Sequence, residues 1–481
     1  TTANLPPPLY VIIVDTKKAT PPLTSHMRPS LHPETGLLFQ PWHTKVPTWD
    51  GYVAIVEEQL VMAQSKTAYA CWDTHKTQHL QALTSAGQIA LPNTHRPRHL
   101  GAVGTGKAFG HELVRLITNG EDESAGVDLR VVSCDLATSC GINGIVGHSG
   151  KFYELGVAEQ DAASFSAGMA LESNGKIVPV FCTYSNFLKR CYEQMFINAV
   201  QGARMIYAGT YSGLCYHTDG KSHQSFDDTS SMLAIPGMIV MDPLTPEDAR
   251  QCLGYALQRL KSRNDDLSSF YFRLRRTPAP EVENFAGNRD FEPLQVGASV
   301  RLFNVDPRPE EHSATLCNVR FVCMGTIAVN LALSCRRSWN ASKRRRKTSS
   351  TTAAAAPPSV AGNDASSSCF YAESICIVNM LTNPATSGDN YCIPDSVYSI
   401  VAGAPGSSPT YVMVIEDDVG ALTTVVQAGY AAFALKHPDL RVPRIKSLRM
   451  ERHGPSFRTL DSCLQHHGFT VAGVERSLDY R

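Results

Sequence analysis

From about residue 105 onward, short apolar runs alternate with longer stretches of helical period. The runs are Leu129–Ser133, Phe152–Val157, Ile177–Cys182, Met205–Gly209, Met238–Met241 and Ser269–Leu274. Each is short, rich in β-branched and aromatic residues, and bounded by glycine or polar residues, as a buried strand should be. Between them lie helical segments: Phe109–Thr118, the stretch after Glu159, Leu188 to about Val200, and one opening at Thr245-Pro246-Glu247-Asp248. That last start has Thr as N-cap, Pro at the first helical position and acids in the first turn. Strands alternating with helices imply a parallel sheet covered on both faces.

A second α/β unit begins near Arg320, with strands at Phe321–Met324, Ser374–Met380 and Tyr411–Glu416. Its helices run from Gly325-Thr326 to about Trp339 and from Gly420 to about Leu435. The expected architecture is therefore α/β: two parallel-sheet domains, 101–290 and 291–481, behind a Pro-rich N-terminal extension, 1–100. The extension holds a buried-strand run at Leu9–Val14 and a helix at Trp49–Ala63, and otherwise reads as extended linker. Residues 341–368 open with Lys343-Arg344-Arg345-Arg346-Lys347 and continue in Ser, Thr, Ala and Pro. That composition cannot bury a core and reads as a disordered surface insertion, either a solvated charged loop or a contact for RNA or an acidic partner.

Composition removes several classes. Lys plus Arg and Asp plus Glu are 44 each, and the zero net charge argues against a broad nucleic-acid surface. No apolar run is long enough to span a membrane. The 14 Cys contain no CxxC pair, so free thiols in a reducing compartment are expected, with Cys182, Cys191 and Cys252 in the core. The chain starts at Thr1 and ends Leu-Asp-Tyr-Arg, which is not a peroxisomal tripeptide. An organellar matrix, mitochondrial before plastid, is the expected location, with the cytoplasm as the alternative. Gly101–Lys107 (GAVGTGK) approaches a phosphate-binding loop. However, Ala108 stands where Ser or Thr is needed, and HRPRHL precedes it where a strand is needed. It reads as a lead-in to the helix at Phe109.

Candidate chemistry centres on Lys151–Ala170. Glu159 falls where strand passes to helix, the usual position for a working side chain in an α/β unit. An acid there also simply favours a helix N-terminus. The helix after it carries Ala162, Ala163, Ser164, Ser166, Ala167, Gly168 and Ala170, which allow close approach of another helix or a flat ligand. Tyr184-Ser185-Asn186-Phe187 follows a strand, and Phe187 offers either a stacking face or a core ring. Asp219 and His223 share a polar loop, where a His is either a general acid–base or merely exposed. Arg190 and Arg276 read from the residues alone as surface arginines at element ends.

These segments resemble the transketolase superfamily of thiamine-diphosphate enzymes. LGVAEQDAASFSAGMA resembles its G-[IV]-A-E-Q segment, YSNFLKR its Y-S-[TN]-F-L-x-R loop and DGKSHQ its D-G-x-[TS]-H-Q. Val414–Asp417 is similar to a V-x-E-[DE] turn of its C-terminal domain. The resemblance implies a pyrimidine-binding domain followed by a transketolase C-terminal domain. It also implies that Glu159 holds a proton against the cofactor's aminopyrimidine, Tyr184 and Phe187 bind that ring, and His223 moves protons at the substrate. Arg190, Asp219 and Arg276 would meet substrate phosphate, although Arg273-Leu274-Arg275-Arg276 departs from the family's R-x-P-R.

The family holds the diphosphate through a divalent metal bound by G-D-G and a later Asn. No G-D-G occurs here, and Gly388-Asp389-Asn390 and Gly362-Asn363-Asp364 lie in the wrong domain. Only Leu9–Val14 resembles the last strand of that domain, with Lys18 replacing a turn glycine. The expectation is half an enzyme, with no metal held in this chain. Thiamine diphosphate would be shared with a partner subunit whose diphosphate-binding domain holds Mg2+, and the chain would self-associate through its pyrimidine-binding domain. The substrate would be a ketose phosphate or a 2-oxo acid, in carbohydrate metabolism. HQSFDD and PLTPEDAR also resemble 2-oxo-acid dehydrogenase β subunits, and a non-catalytic structural subunit is the remaining alternative.

Overall fold

In a computed structural model, residues 30–31, 38–39, 103–124, 126–214, 217–262, 269–276, 298–301, 317–350, 370–382, 398, 410–438, 443–457 and 459–479 are described. Two units are present, 1–98 and 99–481. Of the first, only a short antiparallel pair is described, β1 (Ser30–Leu31) with β2 (Leu38–Phe39). The strand expected at 9–14 and the helix expected at 49–63 lie outside the described residues.

The second unit opens with helix α1 (Thr105–Thr118) and strands β3 (Asp128–Ser133) and β4 (Phe152–Glu154), then helix α2 (Glu159–Glu172) and strand β5 (Ile177–Tyr184). A 3-10 stretch, Ser185–Cys191, leads into α3 (Tyr192–Val200). Then come β6 (Met205–Thr210), α4 (Asp228–Leu233), β7 (Met238–Met241), α5 (Pro246–Ser262) and β8 (Ser269–Arg273). The second half has β9 (Ala298–Arg301), β10 (Cys317–Met324), α6 (Thr326–Ser350), β11 (Phe370–Val378), β12 (Met380–Thr382) and β13 (Thr410–Glu416). It ends with α7 (Ala421–Lys436), β14 (Arg444–Leu448), α8 (Leu460–His466) and α9 (Val471–Asp479).

The strands form two sheets, ordered β12-β7-β8-β6-β5-β3-β4 and β14-β13-β10-β11-β9. All pairs are parallel except β12 on β7 and β9 on β11, both at sheet edges. The α/β expectation holds. Both faces of the first sheet are buried: Val180, Ile206, Ala208, Phe270 and Phe272 pack under α1 and α5, while Phe181, Tyr207, Val240 and Tyr271 point the other way. That second cluster continues into Val322, Val412 and Val414 of β10 and β13, so one apolar core takes side chains from both sheets. Burial on both faces explains why these strands read as continuous apolar runs.

Several boundaries differ from the sequence reading, each for a physical reason. Helix α1 starts at Thr105, inside the glycine-rich run, because Gly104 and Gly106 lie against the backbone after β8. Gly106 N–H donates to Arg275 O at 2.9 Å, and a Cβ on Gly104 would collide with Arg276 O. The glycines serve helix–strand approach and face no phosphate-sized space. The run expected as one strand at 374–380 is split. Residues 370–378 stay in the second sheet, and Met380–Thr382 crosses to pair with Met241–Ile239 of the first. Strand β4 ends at Glu154, short of the expected Val157. Helix α6 continues to Ser350, through the basic run placed in a disordered insertion, and residues 351–369 lie outside the described residues. Thr245 caps α5 as expected, its Oγ1 accepting from Asp248 N at 3.0 Å. Cys182, Cys191 and Cys252 are buried free thiols.

Candidate active site

The candidate residues sit beyond the carboxyl ends of the parallel strands of the first sheet, where open α/β sheets bind ligands. Glu159 is the first residue of α2, with its side chain only 3% exposed. Small residues allow this. Ala162, Ala163, Ser166, Ala167 and Ala170 form the inner face of α2 and bring the helix down onto its own sheet. Asn198 of α3 locks the packing, donating to Ala163 O at 3.1 Å and to Tyr207 Oη at 3.2 Å. Arg190, whose side chain is 62% exposed, reaches in to place Nη1 3.3 Å from Glu159 Oε2. The carboxylate therefore has one cationic partner and sits at the N-terminus of α2.

The loop after β5 supplies aromatic rings. Tyr184 is buried, its hydroxyl donating to Ser139 Oγ at 3.1 Å, and burial pushes its phenol well up. Its ring lies 5.3 Å from half-buried Phe187 and 4.3 Å from Tyr211. His223 stands edge-on to Phe187 at 5.2 Å and to Tyr184 at 6.0 Å. Its Nδ1 is 2.8 Å from Ser222 Oγ, and its Nε2 is 3.9 Å from Asp219 Oδ2. The guanidinium of Arg276 lies over the Tyr211 ring at 5.4 Å. Tyr211 has φ +60°, an uncommon conformation for a bulky side chain that is favoured at functional loops. The structure thus gathers Tyr184, Phe187, Asp219, His223 and Arg276 into one aromatic and polar cluster. Glu159 and Arg190 form a separate pair, joined to it through the Ser185–Cys191 segment.

Beneath this cluster is a buried charge network that sequence reasoning missed. Arg273 and Arg275, at 1% and 0% exposure, share Asp242 and Asp417. Arg273 Nε also meets both oxygens of Asp228 at 3.0 Å, and Tyr271 Oη and Ser185 Oγ donate to Asp228 Oδ2 at 2.7 and 2.8 Å. Asp417 and Asp418 follow β13, so the network ties the second sheet to the loop carrying Phe187. Gly325, with φ +82°, passes so close to Arg275 and Asp242 that a Cβ would strike the guanidinium. Burial raises Asp228 and Asp417, but their arginine contacts outweigh it and hold both below the usual carboxylate range. Asp242 ends above that range, because burial exceeds the pull of Arg275 and Arg273.

Asp418 is pushed up to about 8, first by burial and then, against the pull of Arg273, by the charges of Asp228 and Glu416. A carboxyl raised in the fold binds a proton that the unfolded chain gives up. Its stabilisation is complete below the ordinary value of 3.8 and is lost as pH rises through about 8. Asp248, raised to about 6, has the same sign but finishes earlier. His467, lowered to about 4 by burial and neighbouring cations, has the opposite sign below its ordinary 6.5. Thermal stability is therefore expected to fall between about pH 6.5 and 8.5, and Asp418→Asn to flatten that slope. Calorimetric melts across this window check it, and equal slopes in both proteins would reject it.

Among the described residues, no group of three or more His, Cys, Asp or Glu side chains could hold a metal ion, and no helix is long and apolar enough to cross a membrane. A thiamine diphosphate would be served unequally at its two ends. A buried carboxylate and a half-buried ring suit the pyrimidine, whereas no metal cluster for the diphosphate is present among the described residues.

An α/β domain with an acid at a helix start and an aromatic loop beside it defines a class, and residues 103–276 match the transketolase pyrimidine-binding domain family. Residues 103–276 are therefore a domain of the transketolase pyrimidine-binding type. 1-Deoxy-D-xylulose-5-phosphate synthase of Treponema pallidum (strain Nichols) is 29% identical over 225 residues, 46% of this chain and 31% of that protein. The synthase of the same name from Clostridium tetani is 34% identical over 158 residues, 32% and 24% of the two chains. The chain thus spans a third or less of the length of these relatives. Among solved structures, a split-gene transketolase described as an inactive β4 tetramer aligns with TM-score 0.51 and 18% identity, covering 79% of this chain and 97% of that one. Transketolase from Leishmania mexicana gives TM-score 0.51 and 17% identity, covering 90% and 55%. At such identity the structural likeness speaks for the fold alone.

Proposed function

We propose that this chain is the pyrimidine-binding half of a thiamine-diphosphate enzyme that transfers or condenses a two-carbon ketol or acyl unit. A partner subunit supplies the diphosphate-binding domain and its Mg2+. The observation that carries this reading is the buried Glu159 carboxylate at the start of α2, paired with Arg190 of the Ser185–Cys191 segment that also carries Phe187, whose ring meets His223.

When bound, thiamine diphosphate supplies the carbon nucleophile that attacks a carbonyl substrate. This chain's residues do the rest. Glu159 holds a proton at the pyrimidine ring, Tyr184 and Phe187 form the apolar wall against that ring, and His223, steadied by Ser222 and Asp219, moves protons at the substrate oxygen. Arg276 and Arg190 are cations at the rim, which favours a ketose phosphate over a 2-oxo acid. Cofactor binding, measured calorimetrically on natively purified protein with all co-purifying chains, tests this. Binding is expected when a partner carrying G-D-G is present. Failure with every co-purifying chain retained would sink the reading.

Self-association is proposed through the outer face of α2 and α3. Val157, Phe165, Leu171, Phe196, Ile197 and Val200 are large apolar residues that are 38–63% exposed there, more than scattered surface residues explain. Val200→Asp with Phe196→Asp should lower the sedimenting mass by half while leaving the circular dichroism spectrum intact. An unchanged mass would move the interface elsewhere.

A further inference from the structure

Strand β14 is an edge of the second sheet, and α9 packs beside it. Between them opens a cleft of about 690 Å3, extended by the chain just after β14 and the end of α8. Its charge is one-sided. Lys446, Arg449, Arg452 and Arg476 line it, with Glu451 as the one acid. Arg449, Arg452 and Arg476 are exposed, and none has a hydrogen-bonded or ion-paired acceptor among the described residues. His466 and His467 complete the wall, and the Nε2 of His467 is buried without a partner. None of these residues is gathered around Glu159 or His223.

We propose that this cleft binds a small organic diphosphate, its phosphate oxygens taken by Arg449, Arg452 and Arg476 and its organic part lying along Ile445 and Leu448 of the edge strand. Three guanidinium forks facing one space are suited to phosphate oxygens and offer more donors than a single carboxylate can use. Arg449, Arg452 and Arg476 against Glu451 leave a surplus that suits the roughly two to three negative charges of an organic diphosphate near neutral pH. The volume lies within the roughly 300–1,000 Å3 of small-molecule sites. A folded domain that crowds like charges without counter-charges loses stability, and a bound anion relieves that repulsion. His467 registers the same field, because after burial its lowered pKa of about 4 is caused by His466, Arg452 and His453.

The cleft is continuous with the loop that carries His223. Arg449, Glu451 and Arg452 line it, and the next residues run against that loop: Gly454 N donates to Gln224 Oε1 at 3.0 Å, and Phe457 N to His217 O at 2.8 Å. Occupancy therefore bears on the candidate active site through seven or so residues of chain.

The test is titration calorimetry on the full chain with inorganic pyrophosphate, ADP and thiamine diphosphate, paired with NMR of the histidine rings. Pyrophosphate and at least one of the organic diphosphates should bind, weakening about tenfold in Arg449→Gln/Arg476→Gln and again with added salt. The His467 titration should move up on binding. ADP binding without thiamine diphosphate would point to a nucleotide, and the reverse, lost in the same variant, to the cofactor's own diphosphate. Arg452→Gln serves as a second variant should the double one fold poorly. Equal affinity in wild type and both variants, or no binding of any of the three, would overturn the proposal. Binding of a poly-glutamate peptide alone would instead make the cleft a protein-docking surface.

Discussion

Glu159→Gln should lower turnover of the proposed two-subunit enzyme by about 10²–10⁴-fold, the usual contribution of a positioned proton-transfer group. Glutamine keeps the size of the side chain, and its carbonyl oxygen can still accept from Arg190, now 3.3 Å from Glu159 Oε2. It cannot accept and hold a proton. The effect should therefore fall on kcat, with melting temperature, oligomeric mass and partner binding unchanged. Surroundings make this a clean substitution, because the inner face of α2 that seats the residue is made of Ala162, Ala163, Ser166 and Ala167 and does not rest on the carboxylate. Arg190→Ala supplies the contrast. Removing a mostly exposed cation leaves the buried acid in place, so a loss confined to KM would mark Arg190 as a substrate contact. Turnover unaffected by Glu159→Gln would exclude Glu159 from the proton path and leave its carboxylate as a helix-start residue.

Much of this site could be read from local sequence, because its parts are local. Strand runs with both faces buried are uniformly apolar, and the residue after each strand end falls at the carboxyl edge where ligands bind. Glu159 was found that way, and Tyr184, Phe187 and His223 through the YSNFLKR and DGKSHQ segments that resemble the family's. Arg273 and Arg275 were not. The stretch Arg273-Leu274-Arg275-Arg276 looks like a surface turn, and only Arg276 is exposed. Its two buried arginines are matched by acids that are 31 to 144 residues away in sequence, at Asp242, Asp228 and Asp417. A contact at that separation leaves no local pattern. The start of α1 was obscured for a related reason: Gly104 and Gly106 are poor helix formers, and what licenses them is the backbone of Arg275 and Arg276 just after β8, about 170 residues on. Met380–Thr382 reads as the tail of β11, yet it closes the edge of the other sheet. One signal was available and underweighted. Ala341 to Lys347 contains mostly strong helix formers, which explains why α6 runs on to Ser350.

Arg273→Ala should destabilise the protein by about 3–5 kcal/mol, enough to unfold a marginal domain. Arg273 makes donor contacts to Asp228, Asp242 and the Asp417 carboxylate and backbone, all with essentially no solvent. Truncation would leave Asp228 buried without its arginine and Asp417 with Arg275 alone, and the cost is that of the stranded anion more than of the lost attraction. Lysine is a poor substitute, since its single ammonium cannot reach acids that come from α4, β7 and β13 at once. Arg273→Ala with Asp228→Asn should recover part of the loss, because the stranded charge is removed as well; the recovery measures their coupling. The network joins the two sheets, so the loss should appear as a lower urea midpoint of one shared transition. Arg190→Ala, which removes a cation that is itself 62% exposed, should cost no more than about 1 kcal/mol. An Arg273→Ala protein within about 1 kcal/mol of wild type would mean that water reaches these acids and that the junction is held by its apolar core alone.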